Sequence, residues 1–183
     1  MKIIALTGYR GVGKTTLARH MAANHGYAMG HPFAPWKRAV AGLMQHVGAS
    51  RADAESSVNG SLRDKPSAYL PSGESPRDLL EELGRLIPDN LGSEYTVGLE
   101  LHRLIRSAAD RVVFDSIVHE APYLRAMGAS IIHVSRPGAG PRGLPSDEAV
   151  ERVAPDMHFI NDFASPNAAG EALVDALEAD GII

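Results

Sequence analysis

The 183-residue chain contains no cysteine, which excludes disulfides, thiolate zinc sites and cysteine nucleophiles. It also lacks strong charge of either sign: 18 Lys and Arg stand against 22 Asp and Glu, for a formal net charge of −4. No overall basic field therefore draws in nucleic acid or an anionic membrane, although a local basic patch would still be compatible with polymeric DNA. No apolar run is long enough to span a bilayer, and the first residues lead into an apolar stretch rather than a leader-like segment. Internal repeats, low-complexity tracts and interdomain linkers are all missing. No two of the eight histidines fall in a zinc-like cluster. Histidine is the side chain suited to proton transfer near neutral pH, yet His31 and His119 read as structural or surface groups. With 44% hydrophobic and 22% charged residues, an ordinary soluble composition, the expectation is a cytoplasmic enzyme, compatible with a homodimer, built as a single domain over residues 1–183.

The feature that carries chemistry is Gly8-Tyr9-Arg10-Gly11-Val12-Gly13-Lys14-Thr15, which spells G-x-x-x-x-G-K-T. Lys2 to Thr7 in front of it suits a buried strand. Thr16 to Ala23 behind it reads as a helix with Leu17, Ala18 and Met21 on one face. Strand, glycine loop and helix together make a phosphate-binding loop. Backbone N–H groups at Gly8, Arg10, Gly11, Val12, Gly13, Lys14, Thr15 and Thr16 are expected to cradle an anion, aided by the helix dipole. Lys14 is expected to reach the β- and γ-phosphates of a nucleoside triphosphate, and the Thr15 hydroxyl to ligate Mg²⁺.

Further along, the pattern predicts strands near 27–30, 111–115, 130–134 and 157–160. Helices are expected over 36–47, with Val40, Leu43, Met44 and Val47 inward, and from Ser75 to Pro88, with Ser75 as N-cap, Pro76 at the first position and Asp78 in the first turn. Three more are expected over 93–108, with Val97, Leu101, Leu104 and Ile105 inward, and over 120–127 and 167–177; a short one is expected over 147–153. Residues 48–75 are polar and read as a mostly irregular, mobile insertion with one helical turn near 52–58. The alternation of strands and helices implies an α/β, three-layer P-loop NTPase fold with about five parallel strands. Its acceptor-side insertion would cover about 36–108. Val112-Val113-Phe114-Asp115 is an apolar strand ending in a carboxylate, which in such a fold holds the Mg²⁺ shell and complements Thr15.

Several segments in order resemble those of phage-type deoxynucleoside monophosphate kinases. Phe33 to Val40 is similar to that family's F-A-x-P-L-K segment, and Ser75 to Gly84 to its S/T-P-R-x-L-L-Q-x-L-G. Asp115 to Ala121 stands where the family has D-V-R-F-x-N-E-A, Ser135 to Gly138 matches its V-R-P-G, and Asp156 to Asp162 its D-x-x-I-x-N. The resemblance implies transfer of a phosphoryl group from ATP, with Mg²⁺, to a deoxynucleoside monophosphate. It also implies that Lys37 and Arg77 contact the acceptor, chemistry suited to a point charge and a planar fork. Two departures bear on the acceptor. The first segment is one residue short, because Pro35 follows Ala34 directly. Ser116 and Ile117 follow Asp115, so the Asp-x-Arg expected there lacks its arginine.

The loop over 136–146, rich in Gly and Pro, is the expected lid. Arg142 would act on the transferring phosphate, and Arg136 would grip the donor phosphates. Asp115 and Glu120 are the nearest acids to the expected centre, with Glu120 on the acceptor side. Asn161 and Asp162 are placed at the adenine. The same residues leave open a kinase acting on a hydroxymethylated base in DNA, which the missing arginine favours, and a nucleotide-dependent switch or ATPase.

Overall fold

The computed structural model describes residues 1–143 and 145–183. Five strands form one parallel sheet: β1 (Lys2–Thr7), β2 (Ala28–Gly30), β3 (Arg111–Phe114), β4 (Ser130–Ser135) and β5 (Met157–Ile160), in the order β2-β3-β1-β4-β5. Every neighbouring pair is parallel; Ile4, for example, faces Val113 on one side and Ser130 on the other. β1 is therefore central, and its residues 3–7 are fully buried. A strand covered on both faces has no polar side, which is why Ile3 to Leu6 reads as a continuous apolar run.

Helices lie on both faces. Ile4 and Leu6 share a core with Leu17, Ala18 and Met21 of α1 (Lys14–Asn24) and with Leu173, Val174 and Leu177 of α8 (Pro166–Ala179). Ser165 caps α8 by accepting from Ala168 N at 3.1 Å, the arrangement that satisfies an orphan first-turn donor. The intervening helices are α2 (Ala34–His46), α3 (Arg51–Asn59), α4 (Pro76–Leu91), α5 (Ser93–Arg106), α6 (Ala121–Ala126) and α7 (Pro145–Glu151). No helix among the described residues is long and apolar enough to cross a membrane.

By compactness the chain groups into two units, Met1–Pro32 with Leu101–Ile183, and Phe33–Glu100. The first holds the sheet. The second has its own core of Val40, Met44, Ala54, Val58 and Leu80, against which Phe33, Tyr69 and Leu83 pack. Its Trp36 donates to Thr96 Oγ1 at 2.9 Å, and Arg38 pairs at 3.1 Å with Glu100, a carboxylate 1% exposed. A buried acid of this kind is tolerable only with such a partner.

Three sequence expectations change here. Residues 51–59 form a nine-residue helix, α3, where one turn in a mobile insertion was expected. Its buried face is only Ala54, Ser57 and Val58, too small an apolar signal to show as a periodic pattern. Ser50 caps it by accepting from Asp53 N at 3.0 Å. Pro88 does not end α4, which continues to Leu91 and closes at Gly92, whose N–H returns to the Pro88 carbonyl. Proline removes one helical donor without forbidding the helical φ. The predicted start of α4 is present as a full capping box between Ser75 and Asp78. Leu43, Val47 and Ile105 match the inward spacing but are 59%, 57% and 53% exposed, while Val40, Met44, Val97, Leu101 and Leu104 are buried.

His133 in β4 yields a pH prediction. Burial holds its pKa below the ordinary value of 6.5, with His158 (ring centroids 5.4 Å apart) and Lys14 pushing the same way. As pH falls through the ordinary histidine range, the unfolded chain takes up a proton that the folded chain resists, so stability drops on the acid side. His133→Gln should flatten that part of the stability-against-pH curve, measured by urea unfolding between about pH 7.5 and pH 5.5. An unchanged slope would count against it.

Candidate active site

The loop between β1 and α1 sits at the C-terminal end of the central strand, where the chain leaves β1 for one side of the sheet and β4 lies on the other. Open parallel sheets bind ligands at such a crossing. Gly8 has φ 132 and Gly13 φ 101, a region closed to most side chains. A Cβ on Gly8 would lie 2.1 Å from the Val134 carbonyl oxygen, and one on Gly13 would lie 2.4 Å from Asn161 Nδ2. Both glycines are thus required by space as well as by φ.

Lys14 Nζ donates to the Gly8 and Tyr9 carbonyls at 2.7 and 2.8 Å. Burial lowers its pKa and Arg10 adds to this, while Asp115 opposes them. The ammonium is thus held inside its own loop with one acid nearby. Thr15 Oγ1 donates to Asp115 Oδ2 at 2.7 Å, across 100 residues of chain. Asp115 is 3% exposed, and its other oxygen accepts from Ser116 Oγ at 2.6 Å. Ser116 has φ 63, a left-handed conformation that costs a non-glycine residue about 1–2 kcal/mol and marks functional sites more often than chance turns. In the sequence Ser116 is only the middle residue of the motif that lacks its arginine, with no pattern marking it. Ile117, in the arginine's place, is fully buried, and its N–H donates to the Leu6 carbonyl.

Asn161, expected at the adenine, has a hold on the loop that the sequence does not display. It is 4% exposed, and its Nδ2 donates to the Val12 carbonyl at 2.8 Å while its backbone N–H donates to Ser135 O. Its Oδ1 is buried with no hydrogen-bond partner among the described residues. The side chain therefore braces the phosphate loop from the end of β5; Asp162 beside it is exposed. Asn161→Ala strands the Val12 carbonyl and should cost about 1–3 kcal/mol. Nucleotide affinity should fall with it, as read by calorimetric titration and thermal melting; a variant equal to wild type in both would show the brace to be idle.

The Arg142 guanidinium lies over Gly11, 3.7 Å from where a Cβ would stand, and its backbone N–H donates to Asp147 Oδ2 at 2.6 Å. Arg10, Thr16 and Arg136 are exposed. Arg136 begins a turn closed by Ala139 N–H. Residue 144 of the expected lid lies outside the described residues. Glu120 turns back on its own loop, with Oε2 accepting from Val118 N at 3.0 Å. Lys37 and Arg77 belong to the other compact unit. Lys37 is half-buried in the first turn of α2. Arg77 lies in the first turn of α4, where its guanidinium pairs with Asp64 and stands 3.9 Å from Glu81.

The site residues fit a polyphosphate and a divalent cation. The loop carries the cations of Arg10 and Lys14, the Arg142 guanidinium lies over Gly11, and a hydroxyl and a carboxylate meet at hydrogen-bond distance, the oxygen donors a hard divalent cation takes. Solved structures with this architecture settle the fold. It is the P-loop kinase fold. The shikimate kinase of Aquifex aeolicus superposes with a TM-score of 0.51 at 12% identity, covering 99% of this chain and 98% of that one. The shikimate kinase of Bacteroides thetaiotaomicron gives 0.50 at 15% identity, covering 97% and 98%. No family model and no curated protein matches the chain.

Proposed function

We propose that the protein is a kinase transferring the γ-phosphoryl group of ATP to a deoxynucleoside monophosphate. The observation that carries this reading is the Thr15–Asp115 hydrogen bond at 2.7 Å beneath a glycine loop that also holds Lys14. It pairs the two oxygen ligands such a reaction asks for with the cation that meets the phosphates. Mg²⁺, when bound, would neutralise charge on the phosphates between Thr15 and Asp115. Ser116 holds the second carboxylate oxygen and so orients Asp115. Asn161 holds the loop, so its N–H groups need not reorganise when charge develops. Arg142, over Gly11, brings a cation that can screen the transferring group as the loop closes. Lys37 and Arg77 are the acceptor contacts implied by the family resemblance; for Arg77 this requires exchange of Asp64 for a phosphate.

A second reading is favoured by one observation. Ile117 is buried where an arginine for the acceptor phosphate would stand, which suits an acceptor presenting a hydroxyl and no 5′-phosphate. A hydroxymethylated base in DNA is such an acceptor, as is a small hydroxylated acid of the kind the shikimate kinases take their name from. Radiolabelled ATP offered with each nucleoside monophosphate, hydroxymethylated duplex DNA and shikimate separates the readings. Label in a deoxynucleoside diphosphate supports the first and label in DNA or shikimate the second. Hydrolysis at one rate with and without every acceptor supports a switch ATPase.

A further inference from the structure

The second site lies on the far half of α1, away from the phosphate loop. His20 of α1, His25 at its C-cap and Glu171 of α8 converge, with all their ligand atoms within 4.8 Å of one another. His20 Nε2 is 3.0 Å from Glu171 Oε1, and His25 Nε2 is 3.6 Å from Glu171 Oε2. Each imidazole thus addresses a different oxygen of the same carboxylate. We propose that these three side chains form a binding site for a borderline divalent metal ion of the zinc type.

An ordinary helix–helix ion pair explains the first contact but not the rest. His25 Nε2 is shielded from solvent, and among the described residues it has no hydrogen-bond partner. Its distance of 3.6 Å to Glu171 is too long for a hydrogen bond. Around a tetrahedral zinc ion, with bonds of about 2.0–2.2 Å, ligand atoms sit about 3.3 Å apart. The three ligand atoms, already within 4.8 Å of one another, would have to close by about 1.5 Å at most to reach that spacing. α8 is also shaped for the ring of His20: a Cβ on Gly170 would lie 2.1 Å from His20 Cγ. A mid-helix glycine costs about 0.5–1 kcal/mol relative to alanine, and here it seats the imidazole against the carboxylate. Asn24 stands 3.0 Å from His20 Nδ1. The atom facing the ring is the amide Nδ2; flipping the amide puts its oxygen there, where it accepts the Nδ1 proton and leaves Nε2 to ligate, the outer-shell arrangement typical of metal-bound histidine.

Two imidazoles and one carboxylate suit Zn²⁺, Co²⁺ or Ni²⁺; Mg²⁺ and Ca²⁺ prefer oxygen donors. The Glu171 side chain is 50% exposed, which gives an ion a path in and leaves a fourth position for water. His20 and His25 follow Lys14 by 6 and 11 positions, or about 9 and 16 Å along a helix axis. The site is thus separate from Thr15 and Asp115, and independent of the phosphoryl-transfer reading. An ion there would pin α8 to the helix that starts at the phosphate loop. Because Glu171 lies 151 residues beyond His20, no spacing in the sequence displays the cluster.

The test is calorimetric titration of ZnCl₂ into the EDTA-treated, dialysed full chain with saturating MgCl₂, paired with thermal melting. One saturable site and a rise in Tm are expected. His25→Ala and Glu171→Gln should each weaken zinc binding by roughly tenfold or more and cancel the rise in Tm, while keeping the wild-type circular dichroism spectrum. His158→Ala, in the other histidine pair, should bind zinc as wild type does. Absence of saturable binding, binding that survives both ligand substitutions, or loss of binding in His158→Ala would each overturn the proposal.

Discussion

Lys14→Ala should fold like the wild type and lose turnover by a factor on the order of 10³ or more, the scale seen when a preorganised cation or donor at a transferring group is removed. The two halves of this expectation come from one observation. The ammonium is buried enough that its pKa is lowered, and its bonds go to two carbonyls of its own loop. The cost of burying the charge offsets what these two bonds return, and water can replace the ammonium at the part-buried carbonyls, so its removal should leave Tm nearly unchanged. The transition state gains much, because charge that builds on the phosphoryl oxygens loses its nearest fixed cation. Steady-state rates with the best acceptor, set beside circular dichroism and melting curves, decide the matter. A variant that retains near-normal kcat would end the kinase reading.

Gly8→Ala should have the opposite signature, with a large loss of stability. The new Cβ would meet the Val134 carbonyl oxygen at 2.1 Å and Val12 Cγ2 at 3.4 Å, at a φ of 132. Val134 lies in β4, hydrogen-bonded between β1 and β5, so the obstacle is backbone that has no alternative rotamer. Either the loop lifts away from the sheet or β4 is displaced. A cost of about 3–5 kcal/mol belongs to this class of change, and for a chain of this size that lowers Tm by roughly 10 °C. Gly26→Ala is the comparison: its φ is 70 but nothing lies within 4 Å of the added carbon, so only the conformational penalty of about 1–2 kcal/mol applies. Equal stability of the two variants would show that the Val134 contact yields easily.

How legible these features were depends on how local their causes are. The five strands and the loop after β1 were readable because buried parallel strands are short apolar runs and the phosphate loop is eight consecutive residues. The start of α4 was readable because Ser75, Pro76 and Asp78 interact with one another. α3 was hidden because two alanine-sized or small apolar side chains, Ala54 and Val58, suffice to anchor it. Leu43 and Val47 obey the same spacing as Val40 and Met44, and only the tertiary packing of that unit separates the buried pair from the exposed one. Within the candidate site, Lys14 and Thr15 announced themselves. The brace from Asn161 to Val12 and the hold of Ser116 on Asp115 did not, since each depends on where distant strands end.

The central place of β1 has a consequence for how the molecule is made. Its hydrogen-bonding neighbours are Arg111 to Phe114 and Ser130 to Ile132 with His133, so once made, β1 waits for more than 100 residues before either edge is paired. A nascent chain stopped between β2 and β3 carries Ile3, Ile4 and Leu6 with no sheet to join. The phosphate loop waits longer still, because the amide that braces Val12 is at position 161. Such long-range closure slows folding and leaves an apolar strand edge open to other chains in the meantime. The segment that reads most clearly in the sequence is therefore among the last to be secured in the fold.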